Sequence, residues 1–203
     1  MTTKAPVRLL AMLLLACAAA GVAGCSGSHA RTGAYHAADI SGFMPELSFN
    51  LTGPGGQPIT AQFVRGKTTI LYFGYTNCPD ECPTTLARVS AALGMLGPAA
   101  DQVRVLFVSV DPQRDTPSAL ARYAHYFAPQ VVGASGTDAE LTALTKRYRV
   151  AYRRDPPDKQ GNYDVYHSNA VFVFDVNGRA RLLVPDSETP TQLAEDLSTL
   201  SAG

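Results

Sequence analysis

The chain predicts an α/β fold, a mixed sheet flanked by helices with an added N-terminal β-hairpin, and three observations carry that prediction. Two β-branched, apolar runs, Thr68–Tyr75 (TTILYFGY) and Val103–Val110 (VRVLFVSV), are each followed by a helical stretch, which is the β-α-β-α order of a parallel core. A later pair of apolar runs, 170–175 and 179–184, brackets the hairpin-turn pair Asn177-Gly178. Capping sequences at 137–140 and 189–192 open two more helices.

Taken in order, residues 43–67 read as the added hairpin, turning at Gly53–Gly56. Thr68–Tyr75 is a strand, and Pro83 suits the first turn of the helix expected over Thr84–Leu96, where a missing N–H costs nothing. After the strand Val103–Val110, Thr116 is an N-cap with Pro117 at the first helical position of a helix reaching about Phe127. A short strand is expected at 130–132, a helix from Thr137 to about Tyr148 and a closing helix to about Leu200. That order, with its antiparallel hairpin and final helix, matches a thioredoxin-like sheet. In such sheets ligands gather outside the carboxyl ends of the parallel strands, where Cys78, Cys82 and Asp111 fall.

With 203 residues, 46% of them hydrophobic, the chain suits one globular domain. Its 17 basic and 17 acidic side chains are scattered, without the basic patch that phosphate-backbone binding needs, so no nucleic-acid partner is expected. The N-terminus reads as an address. Lys4 and Arg8 precede the unbroken apolar run Leu9–Ala20, and Val22-Ala23-Gly24 leads into Cys25, as in a secretory signal. Val22–Cys25 also resembles the bacterial lipoprotein signal, whose cysteine is acylated and becomes the first mature residue. The expected organisation is therefore a lipoprotein signal peptide over 1–24, a flexible tether over 25–41, rich in Gly, Ala, Ser and His, and a folded domain over 42–203. The expected location is the outer face of the cytoplasmic membrane, held there by lipid on Cys25.

Export sharpens the cysteine count. Cys17 leaves with the signal and Cys25 is spent on lipid, so Cys78 and Cys82 are the thiols of the domain. They stand four apart where a strand hands over to a helix, and backbone N–H groups there favour thiolates, so both are expected to have lowered pKa values. The spacing permits a redox-active disulfide or a clamp on one ion. A purely structural disulfide would close a three-residue loop and constrain the unfolded chain very little. The third element is His167, just before the strand 171–174, in a stretch without proline. Thioredoxin-like folds place a cis-proline in that neighbourhood. Two thiolates and one imidazole suit Cu(I), and hold Cu(II) with an added oxygen ligand; a structural zinc site would want a fourth Cys or His. Arg114, Asp115 and Thr116 read as turn and cap, His125 as solvated, and Tyr72, Phe73 and Tyr75 as core or site wall. His29 and His36 are assigned no role.

Three ordered motifs resemble a known family: YFGYTNCPDECPTTL (Tyr72–Leu86), SVDPQRDTP (Ser109–Pro117), and YHS (Tyr166–Ser168) with the later DVNG (Asp175–Gly178). They look like the Sco/SenC copper chaperones of cytochrome c oxidase assembly, and the resemblance runs from about Phe43 to Leu200. It implies that Cys78, Cys82 and His167 bind copper, that Asp111 lies near the site, a candidate partner for the far ring nitrogen of His167, and that copper goes to the binuclear copper site of oxidase subunit II, or that the thiols of that site are kept reduced. Tyr166 stands where the family commonly has aspartate. The competing reading is an extracytoplasmic thiol:disulfide oxidoreductase using the same two cysteines. A peroxidase would need an arginine beside the thiolate, and none lies within the Cys78–Cys82 motif.

Overall fold

The computed structural model describes residues 35–201; the expected signal peptide, Cys25 and the first part of the tether lie outside them. Ten strands and four helices are present among these residues. The helices are α1 (Glu81–Leu96), α2 (Pro117–Phe127), α3 (Asp138–Arg147) and α4 (Pro190–Ser201). The strands are β1 (Ala38–Asp39), β2 (Asn50–Thr52), β3 (Pro58–Thr60), β4 (Thr68–Gly74), β5 (Val103–Ser109), β6 (Val131–Ala134), β7 (Tyr152–Arg154), β8 (Val165–His167), β9 (Val171–Phe174) and β10 (Ala180–Val184).

The centre is a six-stranded sheet in the order β1-β10-β9-β4-β5-β6. β4, β5 and β6 run parallel, joined by the crossovers that contain α1 and α2, while β9 runs antiparallel to β4 and leads into β10 through a hairpin. This is the thioredoxin-like arrangement, a mixed sheet flanked by helices. β4 is buried at every position, as an inner strand with neighbours on both edges should be. α1 packs on α4, and α2 packs on β6. No helix among the described residues is long and apolar enough to cross a membrane.

Most local signals act as read. Thr116 Oγ1 accepts from the Ala119 N–H, and Thr137 and Glu140 form both halves of a capping box. The β9–β10 turn is closed by the Gly178 N–H on the Asp175 carbonyl at 2.8 Å, with Gly178 at φ 78°, a backbone region that favours glycine. β2 and β3 form the added hairpin, bridged to the end of β6 through Thr52 and Ser135.

Three boundaries differ. α1 starts at Glu81 rather than Thr84, so Cys82 lies inside the first helical turn. Pro83 is still among the helix-start positions that have no intrahelical N–H acceptor. The linker expected to extend to Ser41 gives way earlier: Ala37 is buried, Ala38–Asp39 pair with Leu183 and Leu182, and the His36 and Ala37 N–H groups donate to the Asp196 carboxylate, each at 2.8 Å. An edge strand with free ladder groups and a buried carboxylate needing donors fold that segment down. The third difference is β7–β8, a two-stranded ribbon that pairs Tyr152 with His167.

Candidate metal centre

The site forms at the carboxyl ends of β4 and β5. After Gly74 the chain turns through Tyr75–Asp80 into α1, which places Cys78 on the turn and Cys82 in the first helical turn. Gly74 is required by close approach: a Cβ built there would stand 2.8 Å from the Cys82 Sγ and 2.6 Å from the Phe107 ring. The turn is pinned from the loop that follows β5. Asp115 is buried, and its carboxylate accepts from the Thr76 N–H at 2.8 Å, the Thr76 hydroxyl at 2.5 Å and the Ser109 hydroxyl at 2.5 Å. His167 arrives from the far side, at the end of β8.

Cys78, Cys82 and His167 each bring one donor atom to a common point, all within 4.8 Å of one another. The Cys82 Sγ lies 3.2 Å from His167 Nε2. On the other side of the ring, Nδ1 faces the Ser168 carbonyl at 3.2 Å. A carbonyl can only accept, so Nδ1 carries the proton and Nε2 keeps its lone pair for the thiol or an ion. Burial holds the His167 pKa below its ordinary value, which favours the neutral ligand form. Tyr72 and Tyr75 meet the imidazole edge-on at ring separations of 6.1 and 5.9 Å.

The two thiols are unequal. Cys82 is wholly buried, whereas Cys78 is half-buried at the wall of an open cleft of ≈ 310 Å³ shared with Tyr75, Glu81, Tyr166, His167 and Asn169. The Cys82 N–H, at the start of α1, donates to the Cys78 sulfur at 3.3 Å. The expectation of a lowered pKa at both sulfurs fails at Cys82: burial pushes that thiol well up, and the neighbouring Cys78 adds to the rise. Desolvation there outweighs the helix N-terminus. A larger cleft of ≈ 460 Å³, lined by Gln113, Arg154, Asp155 and Tyr163 among others, holds none of the three donors.

Asp111 is close by but not where a partner of His167 would be. Its carboxylate is fully buried, accepts from Arg114 Nε, and accepts from the Tyr163 hydroxyl at 2.6 Å. His167 Nδ1 takes the Ser168 carbonyl instead, so the hydrogen bond behind the imidazole expected of Asp111 is made by backbone. The aspartate works through Arg114, whose guanidinium lies 3.9 Å from the Tyr163 ring centroid and 5.9 Å from that of Tyr75. This cross-brace ties the cysteine turn to the chain entering β8. Arg114 and Tyr163 are site-building residues that sequence reasoning did not identify. The signal available was the nearness of Arg114 to Asp111; nothing marked Tyr163. Glu81 adds a second tie, accepting from Asn169 Nδ2 at 2.9 Å. His125 is exposed in the last turn of α2, away from the cluster.

The residues fit a single soft ion. Sulfur and nitrogen donors bound at about 2.0–2.3 Å to one ion stand roughly 3.5–4 Å apart, so the Cys82–His167 pair, at 3.2 Å, has only to open slightly, and no pair of donors, all within 4.8 Å, has far to close. Two thiolates and an imidazole are a set that could hold copper.

Comparison with known proteins agrees with this geometry. The SCO1/SenC family model matches residues 42–202. A SCO2-like protein of Rickettsia felis is 31% identical over 132 residues, which is 64% of this chain and 64% of that protein, so the match spans just under two thirds of that relative. Among solved structures, copper-bound ScoI of Bradyrhizobium japonicum is 37% identical with a TM-score of 0.70, covering 76% of this chain and 98% of that one. Copper-bound yeast Sco1 is 30% identical with a TM-score of 0.72, covering 78% of this chain and 90% of that one. The chain belongs to the SCO1/SenC family.

Proposed function

We infer that this protein binds copper through Cys78, Cys82 and His167 and delivers it to the binuclear copper site of cytochrome c oxidase subunit II, or keeps the thiols of that site reduced, from a lipid anchor on Cys25 at the outer face of the cytoplasmic membrane. The observation that carries the reading is the convergence of two sulfurs and one imidazole nitrogen within 4.8 Å in a fold shared with copper-bound relatives. Copper is cargo here. The cleft at Cys78 gives it a way in and out, while buried Cys82 and the oriented imidazole hold it. A disulfide between the cysteines would remove both sulfur ligands at once, so loading requires the dithiol.

A second reading, thiol:disulfide oxidoreductase, is favoured by the inequality of the thiols. Half-buried Cys78, supported by the Cys82 N–H, is placed to attack a partner disulfide, forming a mixed disulfide and releasing one partner thiolate. Cys82 would then attack the Cys78 sulfur and release the second partner thiol, leaving the Cys78–Cys82 disulfide.

One experiment separates delivery from reduction. Copper-loaded protein is mixed with the copper-free soluble domain of subunit II, once with its cysteines reduced and once as the disulfide. Delivery predicts that the binuclear-copper absorption grows with the reduced domain; the oxidoreductase reading predicts only that copper-free protein reduces the disulfide. Fractionation of Cys25→Ala tests the anchor, because two acyl chains or more are needed for stable retention. A variant that is processed and still sediments with membranes as wild type does would remove the lipid from the account.

A further inference from the structure

Two phenols beside the metal centre lack a well-formed hydrogen bond. Tyr72 on β4 is wholly buried and Tyr123 on α2 is partly buried, yet neither hydroxyl makes a hydrogen bond of ordinary geometry among the described residues, although Tyr72 has the Thr85 and Cys82 side chains beside it. Unpaired buried hydroxyls are uncommon in native cores and call for an explanation, an absent ion or a redox role among them. Tyr72 is the better placed. On a strand, residues two apart share a face, so Tyr72 and Gly74 look the same way, and the Cys82 Sγ sits directly over Gly74. The Tyr72 ring is fixed between Phe107, at 6.0 Å, and the edge of His167, at 6.1 Å.

The empty valence has a cause. The Cys82 thiol is committed to His167 Nε2 at 3.2 Å, and a neutral thiol is a weak acceptor. A soft ion shared by Cys82 and His167 takes the place of that proton and leaves lone pairs on a charged sulfur, which is a far better acceptor. We propose that the Tyr72 hydroxyl is a positioning group for the metal-bound state, donating a hydrogen bond to the Cys82 sulfur once an ion has replaced its proton. The phenol, like any tyrosine hydroxyl, has a proton to donate at neutral pH. The proposal rests on reading Cys78, Cys82 and His167 as the metal site.

A donor on a thiolate draws charge from the sulfur, which raises the energy of the Cu(II)–thiolate charge-transfer band and favours Cu(I) over Cu(II). The test compares wild type, Tyr72→Phe and Tyr123→Phe by Cu(II)–thiolate absorption and by Cu(I) competition against a chromophoric chelator. Tyr72→Phe is expected to move the band to lower energy and weaken Cu(I) binding about three- to tenfold, the size of one lost hydrogen bond. Tyr123→Phe should change both much less. An unmoved band with unchanged affinity in Tyr72→Phe, or the whole effect in Tyr123→Phe, overturns the proposal. A readout on the wild-type chain covers the case in which the variant fails to fold. Protein labelled with 13Cζ tyrosine is examined in mixed H2O and D2O, metal-free and loaded with Cu(I) or Hg(II), and the Tyr72 Cζ signal should show a slowly exchanging hydroxyl only when loaded. Hg(II) takes any dithiol, so failure to bind copper would defeat the functional reading while the Hg(II) sample still decides the role of Tyr72.

Discussion

The sulfur of Cys82 stands 3.2 Å from Nε2 of His167, a residue 85 positions later in the chain. One comes from the first turn of α1 and the other from the end of a three-residue strand, so the contact exists only in the folded protein. His167→Ala removes the one nitrogen donor of the cluster. Cu(II) affinity should fall more than about a hundredfold, beyond what losing an outer partner costs, with loss of the copper–thiolate chromophore. Cu(I), which two thiolates can hold, should weaken about tenfold or less. Competition titrations in both oxidation states check this, and unchanged Cu(II) binding would favour the oxidoreductase.

Gly74→Ala puts a methyl group 2.8 Å from the Cys82 sulfur and 2.6 Å from the Phe107 ring. Neither can retreat, because both are fully buried. The expected cost is about 1–3 kcal/mol of stability, together with weaker copper binding. Thermal unfolding of the metal-free and copper-loaded variant separates the two effects.

Asp111→Asn keeps the shape of the side chain but removes the charge opposite Arg114. Leaving one partner of a buried ion pair alone is strongly destabilising, by about 3 kcal/mol or more when fully buried, and somewhat less here because Arg114 is partly exposed. Copper affinity should drop less than in His167→Ala, since Asp111 reaches the histidine only through Arg114, Tyr163 and the ribbon. Equal loss in the two variants would mean that Asp111 acts on the ion directly.

The parallel core, the hairpin and all four helices were legible because each is announced by strong local signals: β-branched runs, capping boxes at Thr137 and Thr189, and Asn177-Gly178. The meeting of Cys78, Cys82 and His167 was legible for a different reason, since the cysteine spacing and the histidine limit the chemistry before any fold is considered. The ribbon that carries His167 was not legible. Strands of three residues, Tyr152–Arg154 and Val165–His167, are too short to show an alternation, and only the turn-rich segment PPDKQGN between them hinted at a hairpin. The burial of Cys82 was hidden for a related reason: local reading sees the helix N-terminus, but the desolvation that outweighs it comes from packing. The segment 35–41 looked like linker because its composition is that of a linker; its order comes from Asp196 and the edge of β10.

Glu188 gives a pH prediction remote from the site. It is buried, neither carboxylate oxygen has a hydrogen-bond partner among the described residues, and Arg88 donates to the carbonyls of Pro185, Asp186 and Glu188. Burial and then Asp196 push its pKa up to about 7, against opposing effects from Arg88 and His36. A carboxyl whose pKa is raised on folding contributes stability that is complete below the unfolded value and is lost as pH rises through the folded one. Stability should therefore decline between about pH 4.5 and pH 7 by about 3 kcal/mol. Glu188→Gln should flatten that decline and be the more stable protein at pH 8, as denaturant unfolding across the range would show. A variant less stable than wild type at pH 8 would contradict the assignment.

The central claim is that two sulfurs and one imidazole share a single copper ion, and copper K-edge X-ray absorption of the reduced protein loaded with one equivalent of Cu(I) tests it most directly. The account predicts a first shell of two sulfurs and one nitrogen, with the outer-shell scattering of an imidazole that disappears in His167→Ala, and no copper retained by the Cys78–Cys82 disulfide form. A shell without sulfur, an imidazole signal that survives His167→Ala, or equal loading of the oxidised protein would contradict it.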